Sequence, residues 1–411
     1  MTLLYKIGIF FYGLFIQFAS LFNEKARLFV KGRKNWKKEL SAKIIKGEKY
    51  IWFHCASLGE FEQGRPVIEE IKRQFPDNRI LLTFFSPSGY EIRKHYEKAD
   101  LVFYLPHDTR RNARTFLKIV QPEKAFFVKY DYWYFFISEL KRRKIPLFII
   151  SAIFRDEQFF FRKDFIGKWY RQMLFFCEHL FVQDERSAKL LKSVGVENCT
   201  VSGDTRFDRV SAIAAAAKEV PLVDKFKNDA LLIVAGSTWK PDEELLAAFI
   251  NQNPEVKIII APHEVTPENI NNPERMLKKP SIRLSKAENA GLNKVQVLII
   301  DSVGLLSSLY RYGDVAYIGG GFGAGIHNIL EAATFGVPVI FGPAYRKFKE
   351  AVDLKKAGGA FAVSSFSELK AVLNRLLTDE KKRAKSSGIC KKYIEENTGA
   401  TNIIVKKVFN I

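Results

Sequence analysis

The sequence predicts an α/β protein that consists of two Rossmann-like domains with a cleft between them and a preceding apolar helix. The chain has 411 residues, which is more than one ordinary hydrophobic core accommodates. From Tyr50 onward, short apolar runs alternate with helix-like segments, a pattern typical of a doubly wound parallel sheet. A second series of such runs begins at Leu231, so each series predicts its own sheet.

The composition indicates a globular protein that binds a polyanion. There are 65 Lys and Arg residues against 45 Asp and Glu residues, which gives a formal net charge of +20. Such an excess favours nucleic acid, an anionic membrane surface or a phosphorylated substrate. An apolar content of 47% argues against disorder. The cysteines Cys55, Cys177, Cys199 and Cys390 form no C-x-x-C pair, so no zinc site or disulfide framework is expected, and a reducing cytoplasm fits.

Residues 1–24 are predicted to be a membrane anchor. The segment from Ile7 to Phe22 is almost wholly apolar but slightly shorter than the roughly twenty residues that cross a bilayer. Spanning, lying in the interface and cleavage as a signal peptide are therefore all open. A basic cluster follows the apolar run, whereas the positive charges of a signal peptide precede its apolar run. The cluster consists of Lys25, Arg27, Lys31, Arg33, Lys34, Lys37 and Lys38. This order favours an anchor on the cytoplasmic side of the membrane.

The first domain is predicted to cover residues 45–210. Its expected strands are Tyr50–His54, Ile80–Phe84, Leu101–Leu105, Lys124–Val128, Leu147–Ser151 and Leu180–Gln183. The loop from Ala56 to Glu60 leaves the first strand, and a helix with Pro66 in its first turn is expected to follow. Glu60 thus lies at the carboxyl end of a strand, where open α/β sheets bind ligands. Alternatively, Glu60 is a carboxylate at a helix N-terminus that interacts only with the helix dipole.

The second domain is predicted at residues 226–392, after a linker at 211–225 and before a C-terminal helix at 393–411. Its expected strands are Leu231–Ala235, Lys257–Ala261 and Val295–Ile300, with Gly236 to Trp239 as the first loop. The next strand, Asp314–Ile318, leads into five glycines within seven residues. Because both domains are expected to bind ligands at facing strand ends, the natural place for chemistry is the cleft between them.

The glycine loop predicts either a nucleotide site or tight packing. A helix is expected from His327 to Phe335, ended by Gly336 and followed by a strand from Val337 to Phe341. Backbone N–H groups and a helix N-terminus at one point suit a phosphate. Glu331, one turn into that helix, would accept hydrogen bonds from a ribose diol. The loop does not match the G-x-G-x-x-G or phosphate-loop patterns, so both interpretations remain open.

Several motifs in one order give the chain a closer resemblance. They are His54-Cys55-Ala56-Ser57-Leu58-Gly59-Glu60; Leu105-Pro106 with Asp108; Ser202 to Asp208; Ala235-Gly236-Ser237-Thr238; Gly319-Gly320-Gly321 with His327-Asn328 and Leu330-Glu331; Gly342-Pro343; and Phe348-Lys349. With these motifs the chain resembles the Kdo transferases over nearly its whole length. These enzymes are GT-B glycosyltransferases that move 3-deoxy-D-manno-octulosonic acid (Kdo) from CMP-Kdo onto a lipid A precursor.

The resemblance implies roles for individual residues. Glu60 would be the general base that takes a proton from the acceptor hydroxyl as it attacks the anomeric carbon with inversion. The phosphate of CMP-Kdo would lie against Gly320, Gly321 and Gly323, and Glu331 would hold the ribose. Hydroxyls for the donor would come from Ser237 and Thr238, and Asn328 would bind the donor or cap its helix. His327 is expected to be a packing or capping residue. Because the phosphate leaves already ionised, neither a metal nor another cofactor is expected.

Two departures from the family pattern affect the predicted site. The family's E-T-E-L-W-P is replaced by Lys129 to Tyr134, so any acidic catalytic role there falls to Asp131. The family's P-R-H is replaced by Pro262-His263-Glu264, and the arginine that would meet the phosphate is missing. His263, or Arg206 from the linker region, is the expected substitute for that charge.

The acceptor implied by the resemblance is a phosphorylated, acylated lipid at the cytoplasmic face of the inner membrane. Ser57 and Gly59 belong to the motif that would meet the acceptor. A basic and aromatic segment from Arg155 to Arg171, which includes Arg162, would bind the lipid. An ordinary amphipathic helix is an equal alternative for that segment, although three consecutive phenylalanines cannot all face one core from a helix.

The sequence leaves three alternative functions open. The nearest alternative is a GT-B enzyme that uses a UDP-sugar on another membrane lipid. A nucleic-acid-binding protein would fit the basic pI of 9.6, but the sequence contains no recognised nucleic-acid motif. A non-catalytic membrane scaffold that kept the fold is the third.

Overall fold

The computed structural model describes residues 1–288 and 290–411. It divides into two compact units, the first formed by residues 1–209 and 398–411 and the second by residues 210–397. The predicted linker at 211–225 belongs to the second unit. Each unit contains one parallel sheet, as the sequence predicts, and each sheet has seven strands, which is more than the sequence predicts.

The chain begins with three helices: α1 Thr2–Ala19, α2 Glu24–Lys31 and α3 Trp36–Lys43. In the described part of the chain, α1 is the single helix that is long and apolar enough to cross a membrane. A half-buried stripe with Thr2, Tyr5, Ile9 and Ile16 runs along one side of α1, and most of its other residues are exposed. The helix therefore contacts the first unit along its length rather than projecting from it.

The first sheet has strand order β3-β2-β1-β4-β5-β6-β7, and all neighbours are parallel. Its strands are β1 Tyr50–Cys55, β2 Arg79–Phe84, β3 Leu101–Tyr104, β4 Lys124–Val128, β5 Leu147–Ala152, β6 His179–Val182 and β7 Cys199–Val201. The order reverses direction between β1 and β4. In open α/β sheets, the carboxyl ends of the two strands at such a reversal form the crevice in which ligands bind.

Helices alternate with the strands of this sheet. They are α4 Leu58–Gln74, α5 Pro87–Arg93, α6 Arg110–Val120, α7 Tyr134–Arg142, α8 Phe165–Phe175, α9 Glu185–Ser193 and α10 Thr205–Ala215, with a short 3-10 helix at Phe159–Phe161. Aromatic side chains fill much of the core, since the Trp52 ring lies 4.8 Å from Phe116 and 4.9 Å from Phe127 between centroids. Such ring pairs add specific geometry to the area that they bury.

The helix after β1 begins earlier than predicted. Glu60 lies in the first turn of α4 rather than in a loop, and Pro66 lies in the interior of α4 rather than in its first turn. A proline there removes one helical N–H donor, yet α4 runs on to Gln74 because its apolar face, which includes Phe61 and Val67, is fully buried. Tertiary packing thus outweighs the local cost of the proline.

The second sheet has strand order β10-β11-β9-β8-β12-β13-β14, again all parallel. Its strands are β8 Leu232–Thr238, β9 Lys257–Pro262, β10 Ser281–Arg283, β11 Val297–Ile299, β12 Val315–Ile318, β13 Val339–Phe341 and β14 Ala360–Ala362. The reversal in this sheet lies between β8 and β12. The sequence did not predict the short strands β10 and β14.

The helices of the second unit are mostly long and amphipathic. They are α11 Pro221–Lys227, α12 Lys240–Ile250, α13 Pro267–Met276, α14 Leu306–Leu309, α15 Leu330–Ala333, α16 Lys349–Ala357, α17 Phe366–Thr378 and α18 Glu380–Asn397. Short 3-10 helices occur at Leu284–Lys286, Leu292–Lys294 and Tyr310–Tyr312. The last helix of the chain, α19 Ala400–Phe409, returns to the first unit and packs against α4.

Three predicted elements of the second unit are wrong in extent. Gly236 to Thr238 form the end of β8 rather than a loop. The helix predicted from His327 to Phe335 is only the four residues of α15, which places Glu331 near its start rather than one turn inside it. The predicted C-terminal helix at 393–411 is split, because residues 393–397 belong to α18.

Asp208 accepts hydrogen bonds from the amides of Gly399 and Thr401 and so holds the start of α19.

Candidate active site

Glu60 lies at the reversal point of the first sheet, at the beginning of α4. The end of β1 delivers the chain to Ser57, which precedes α4 and whose hydroxyl donates to the Glu60 carboxylate. Glu60 is half buried, and the neighbouring Gly59 is exposed. A carboxylate in the first turn of a 17-residue helix is stabilised by the helix dipole. The structure therefore places Ser57, Gly59 and Glu60 together at the predicted strand end.

His54, in β1, anchors the next part of this site by hydrogen bonds that define its tautomer. The Trp133 indole N–H donates to His54 Nε2 at 3.0 Å, so this nitrogen carries no proton. His54 Nδ1 then carries the proton and lies 2.9 Å from Thr83 Oγ1. The Thr83 hydroxyl also accepts from Trp52 Nε1 at 2.8 Å and donates to the Phe53 carbonyl at 3.2 Å. Each polar atom of this buried network is thereby satisfied.

Asp131, in the loop after β4, is the exception in this network. Its Oδ2 lies 3.0 Å from His54 Nε2, and its side chain is 11% exposed. Because that nitrogen already accepts the Trp133 N–H, Asp131 Oδ2 faces a lone pair and has no hydrogen-bond donor among the described residues. A buried carboxylate oxygen without a donor is energetically costly. Such an atom marks a place where a ligand hydroxyl would be stabilising.

Electrostatic effects show that Glu60 and Asp131 are neighbours. The pKa of the Cys55 thiol is raised by burial and, next in size, by the negative charges of Asp131 and Glu60. Burial also raises the pKa of Tyr130; the positive charge of Arg155 partly opposes this shift, and the negative charge of Glu60 adds to it. Tyr130 and the two carboxylates therefore lie near one another at the carboxyl ends of β1 and β4, and Tyr130 and Asp131 line one cavity there.

The basic and aromatic segment divides between core and surface. Phe160 and Trp169 are buried, whereas Phe159 is 50% exposed and Phe165 is 69% exposed. Arg162 is exposed and pairs with Asp164 at 2.5 Å. The buried rings and the surface charges fit an ordinary amphipathic segment, and lipid binding by the exposed Phe159, Phe165 and Arg162 stays a prediction.

In the second unit, the Asp242 side chain forms a hydrogen bond with the backbone of the glycine loop. Its carboxylate accepts hydrogen bonds from the Gly320 amide at 3.0 Å, the Trp239 amide at 3.0 Å and the Tyr317 hydroxyl at 2.8 Å. Burial raises the pKa of Asp242, and the three hydrogen bonds oppose this shift. The prediction that the Gly320 amide binds the phosphate is therefore wrong, because a protein carboxylate already accepts its proton.

Tight packing explains part of the glycine loop. A Cβ on Gly321 would lie 2.5 Å from Gly342, and Gly320 has a φ of +87°, which glycine adopts without strain. The Gly323 amide donates to the Gly320 carbonyl at 3.0 Å within the turn. Among the described residues, the Gly321 amide has no acceptor, so it is the one predicted phosphate-binding amide of the three that is not already used.

Three aromatic rings lie at the opening of this loop. The His263 and His327 rings stack with centroids 4.1 Å apart, and the Trp239 ring lies 4.9 Å from His263. The Trp239 N–H donates to His327 Nε2 at 3.1 Å. Burial, and then the neighbouring His263, lower the pKa of His327 to about 4, so His327 is neutral at pH 7. A cavity of about 360 Å³ opens beside these rings, with Trp239, Asp242, Gly320, Phe322 and His327 among its lining.

The other residues predicted to bind the donor substrate differ in their accessibility to a ligand. Asn328 donates to Glu331 Oε1 at 3.1 Å and accepts from the Leu330 amide at 3.2 Å, so it caps α15 and orients Glu331. Ser237 is half buried and has a φ of +52° at an irregularity of β8. The hydroxyl of Thr238 is buried and donates to Glu243 at 2.9 Å. Thr238 is therefore committed to the interior, contrary to its predicted role.

The sequence analysis assigned no role to His54, Trp239 or Asp242. His54 was noted within a motif, and a histidine in a fully buried strand beside the reversal point was the available signal. Asp242 follows Trp239-Lys240-Pro241, a typical start of a helix, and therefore pointed only to capping.

Among the described residues, no group of three or more His, Cys, Asp or Glu side chains could hold a metal ion. Independence of metal remains a prediction.

Comparison with protein families and relatives gives a consistent match. The family described as 3-deoxy-D-manno-octulosonic-acid transferase (kdotransferase) matches residues 29–209. A 3-deoxy-D-manno-octulosonic acid transferase of Aquifex aeolicus is 27% identical over 83% of this chain and 89% of the relative. The enzyme of the same description from Haemophilus influenzae is 26% identical over 85% of this chain and 84% of the relative.

Comparison with solved structures identifies the fold. UDP-GlcNAc 2-epimerase from Neisseria meningitidis, bound to UDP-GlcNAc, aligns with a TM-score of 0.61 at 16% identity, over 88% of this chain and 100% of that one. MurG from Acinetobacter baumannii aligns with a TM-score of 0.55 at 12% identity, over 88% and 100%. CalG4, the calicheamicin glycosyltransferase, aligns with a TM-score of 0.53 at 12% identity, over 87% and 96%. The predicted GT-B fold is confirmed.

Proposed function

We propose that this chain is a glycosyltransferase of the Kdo transferase family and that it transfers Kdo from CMP-Kdo to a lipid A precursor with inversion at the anomeric carbon. One observation carries the proposal on the structural side. Glu60 begins α4 at the reversal point of the first sheet, next to an opening that contains a second carboxylate and aromatic rings. This is where a sugar hydroxyl would meet a general base.

The proposed step forms one bond and breaks one. An acceptor hydroxyl oxygen attacks the anomeric carbon of Kdo, and the bond between that carbon and the phosphate oxygen of CMP breaks. The hydroxyl proton passes to Glu60, and CMP leaves with the bonding electron pair. Ser57 holds the Glu60 side chain through its hydroxyl hydrogen bond, and Asp131 would accept a second hydroxyl of the acceptor. Since the leaving phosphate is ionised, the step requires no general acid and no metal.

The second unit would bind the donor. The cavity beside Trp239 and His327 offers aromatic faces for a base or sugar ring, and Glu331 would accept from the ribose. The Gly321 amide would donate to the phosphate. A proton taken up by the stacked pair of His263 and His327 would supply the positive charge for which the family uses an arginine.

The exposed apolar side of α1 supports attachment at the cytoplasmic face of the inner membrane. Phe11, Phe15 and Phe18 are 61%, 67% and 64% exposed, which is costly in water but stabilising in a bilayer interface. The basic cluster after α1 would attract anionic lipid. A lipid acceptor would reach the first unit from this surface.

The proposal is tested with the purified full chain in detergent. The protein is incubated with tetraacylated lipid A precursor and either CMP-Kdo or a panel of UDP-sugars, and the products are analysed by mass spectrometry. We expect a mass increase of one or more Kdo residues with CMP-Kdo and no product with UDP-sugars. Transfer from a UDP-sugar, or binding of RNA without any transfer, would overturn the assignment. An assay with added chelator tests metal independence, and loss of activity would contradict it.

A further inference from the structure

A cavity of about 530 Å³ in the first unit has α1 as one of its walls. The helix contributes Tyr5 and Ile9, and the opposite wall contains Trp133, Phe159 and Tyr170. The cavity thus extends from the apolar N-terminal helix to the loop after β4, in which Asp131 lies. Its two ends differ in chemistry.

The end next to α1 is largely apolar, although Glu157 and Gln158 also line the cavity. The Phe159 ring stacks on Tyr170 with centroids 5.0 Å apart and an interplanar angle of 17°. The Phe160 ring lies 4.7 Å from Tyr132 and closes the floor. Ile9 completes this end with an aliphatic side chain. Such a surface favours a hydrocarbon group, because apolar area is removed from water when it is covered.

The other end contains two buried polar atoms without a hydrogen bond among the described residues, although Asp131 Oδ2 lies 3.0 Å from His54 Nε2. The second of these atoms is Tyr132 Oη. Unsatisfied buried polar atoms are rare in folded proteins and therefore indicate a missing partner. Tyr130 also lines the cavity, and it lies near enough to Glu60 for that charge to raise the pKa of its hydroxyl. The polar end thus adjoins the proposed general base.

The α1 wall is fixed to the unit by specific contacts. The Tyr5 hydroxyl donates to Asp108 Oδ2 at 2.6 Å, and Trp169 Nε1 donates to Thr2 Oγ1 at 3.2 Å. Further along the helix, the Tyr12 ring stacks on Phe85 with centroids 6.1 Å apart. The same helix therefore forms the cavity wall on one side and presents exposed apolar residues on the other.

We propose that this cavity binds one acyl chain of the lipid acceptor alongside α1, with the acceptor's hydroxyls at Asp131 and Tyr132. The inference rests on the proposed function and assigns the helix a second role, as part of the acceptor site. The ligand must be amphiphilic, since only an amphiphile matches an apolar end and an unsatisfied polar end together. A sugar without acyl chains would leave the apolar end uncovered.

The test compares two tryptophan substitutions on the same helix. Ile9→Trp fills the apolar end of the cavity, whereas Leu4→Trp changes a residue of the same helix that is 62% exposed and does not line the cavity. Each variant is assayed in detergent with a tetraacylated acceptor and with its deacylated form. We expect Ile9→Trp to raise the KM for the acylated acceptor at least tenfold and to leave the deacylated acceptor and CMP-Kdo unaffected. Leu4→Trp should change none of the three.

A second variant and a binding measurement guard against misfolding and against failure of the proposed function. Phe159→Ala removes a half-exposed ring and should also raise the KM for the acylated acceptor alone. Binding is followed by quenching of tryptophan fluorescence with a brominated acyl chain, and the quenching that depends on acyl length should be lost in Trp133→Phe. Equal effects of Ile9→Trp on both acceptors, or no effect on either, would overturn the acyl site. If the wild type transfers to neither acceptor but the quenching persists, the proposed function fails while the acyl site stands.

Discussion

The two sheets have the same kind of strand-order reversal, but the carboxylates at their carboxyl ends differ in how many hydrogen bonds they accept from the protein. At the first sheet, Asp131 lies against a histidine lone pair and has no donor among the described residues, next to Glu60. At the second sheet, Asp242 accepts three hydrogen bonds from the glycine loop and its surroundings, and Glu243 accepts one from Thr238. The first site retains acceptors for a ligand, and the second uses its acceptors to shape a loop.

This difference indicates how the same kind of parallel sheet can support either proton transfer or nucleotide binding. A site that moves a proton needs a basic atom with access to the substrate, and that atom cannot be fully satisfied by the protein. A site that binds a nucleotide needs a rigid surface, and a carboxylate with several internal donors fixes the backbone well. Under the proposed function the first unit carries the chemistry and the second binds the donor, and this division can be tested residue by residue.

The largest effect is expected at Glu60. Glu60→Gln keeps the shape of the side chain but removes the proton acceptor, and kcat for Kdo transfer should fall by about 10²–10⁴-fold. The matched control is Glu70→Gln on the same helix, where Glu70 pairs only with Arg73 and Gln74. The measurement is steady-state transfer with CMP-Kdo. Full turnover by Glu60→Gln would show that the first site is not catalytic and would favour a scaffold function.

The next largest effect is expected at Asp242. Asp242→Asn replaces an acceptor of three hydrogen bonds by a group that accepts fewer and should lower the free energy of unfolding by about 2–4 kcal/mol. The KM for CMP-Kdo should rise, since the Gly320 loop loses its support. Glu244→Gln, an exposed neighbour on α12, is the control in chemical denaturation. Unchanged stability would contradict the role assigned to the carboxylate.

A pH effect is expected at the stacked histidines. In the free protein the pKa of His327 is about 4, so the ring is neutral at pH 7 and a bound phosphate would favour its protonation. A higher pKa in the complex than in the free protein means that binding takes up a proton, so affinity should increase as the pH falls from about 7 to 5. The increase should be at most about tenfold per pH unit for one proton. Titration calorimetry of CMP in two buffers of different ionisation enthalpy measures the uptake.

His327→Gln is the matched variant for the pH experiment. Because the second pKa of the CMP phosphate is about 6, its own protonation contributes to the pH dependence of both proteins. His327→Gln should keep that contribution and lose the uptake of the additional proton. An equal pH dependence and equal proton uptake in the wild type and His327→Gln would contradict the expected protonation of His327. The second site would then not use its histidines for charge.

The smallest effect is expected at Asp131, and its sign is opposite to that at Asp242. Asp131→Asn removes the repulsion between a carboxylate oxygen and the His54 Nε2 lone pair, so the free energy of unfolding should rise by about 1 kcal/mol. Kdo transfer should slow because an acceptor for the substrate hydroxyl is weakened. Paired denaturation and activity measurements test both signs. A loss of stability like that of Asp242→Asn would remove the contrast between the two sites.

The fold could be predicted from local patterns because buried parallel strands are continuous apolar runs. Lys124–Val128 was predicted at its observed bounds, and Tyr50–His54 differs by one residue from β1. The strands β10 and β14 have only three residues each and include half-buried positions, so their pattern is too short to recognise. The start of α4 was missed because Gly59 indicates a loop locally and Pro66 is typical of a first helical turn, whereas packing against the sheet extends the helix to Leu58.

The candidate site was predictable in its residue types but only partly in its contacts. The motif of Glu60 and the glycine loop identified both strand ends correctly as positions in the fold. The sequence could not show that Asp242, 78 residues before Gly320, accepts the amide proton expected to bind phosphate. Nor could it show that His263 and His327, 64 residues apart, stack on each other, since such contacts depend on how the strands are ordered.

The sequence by itself determined the two parallel sheets, the apolar N-terminal helix, the positive charge and the family resemblance, because all of these are local or additive properties of the chain. Only the tertiary structure decided which acceptors are left for a ligand. Among the described residues, Asp131 Oδ2 has no donor and the Asp242 carboxylate has three, and this depends on groups from separate elements that meet in space. A hydrogen bond is a pairwise contact with strict geometry, so its presence is decided by folding and not by composition.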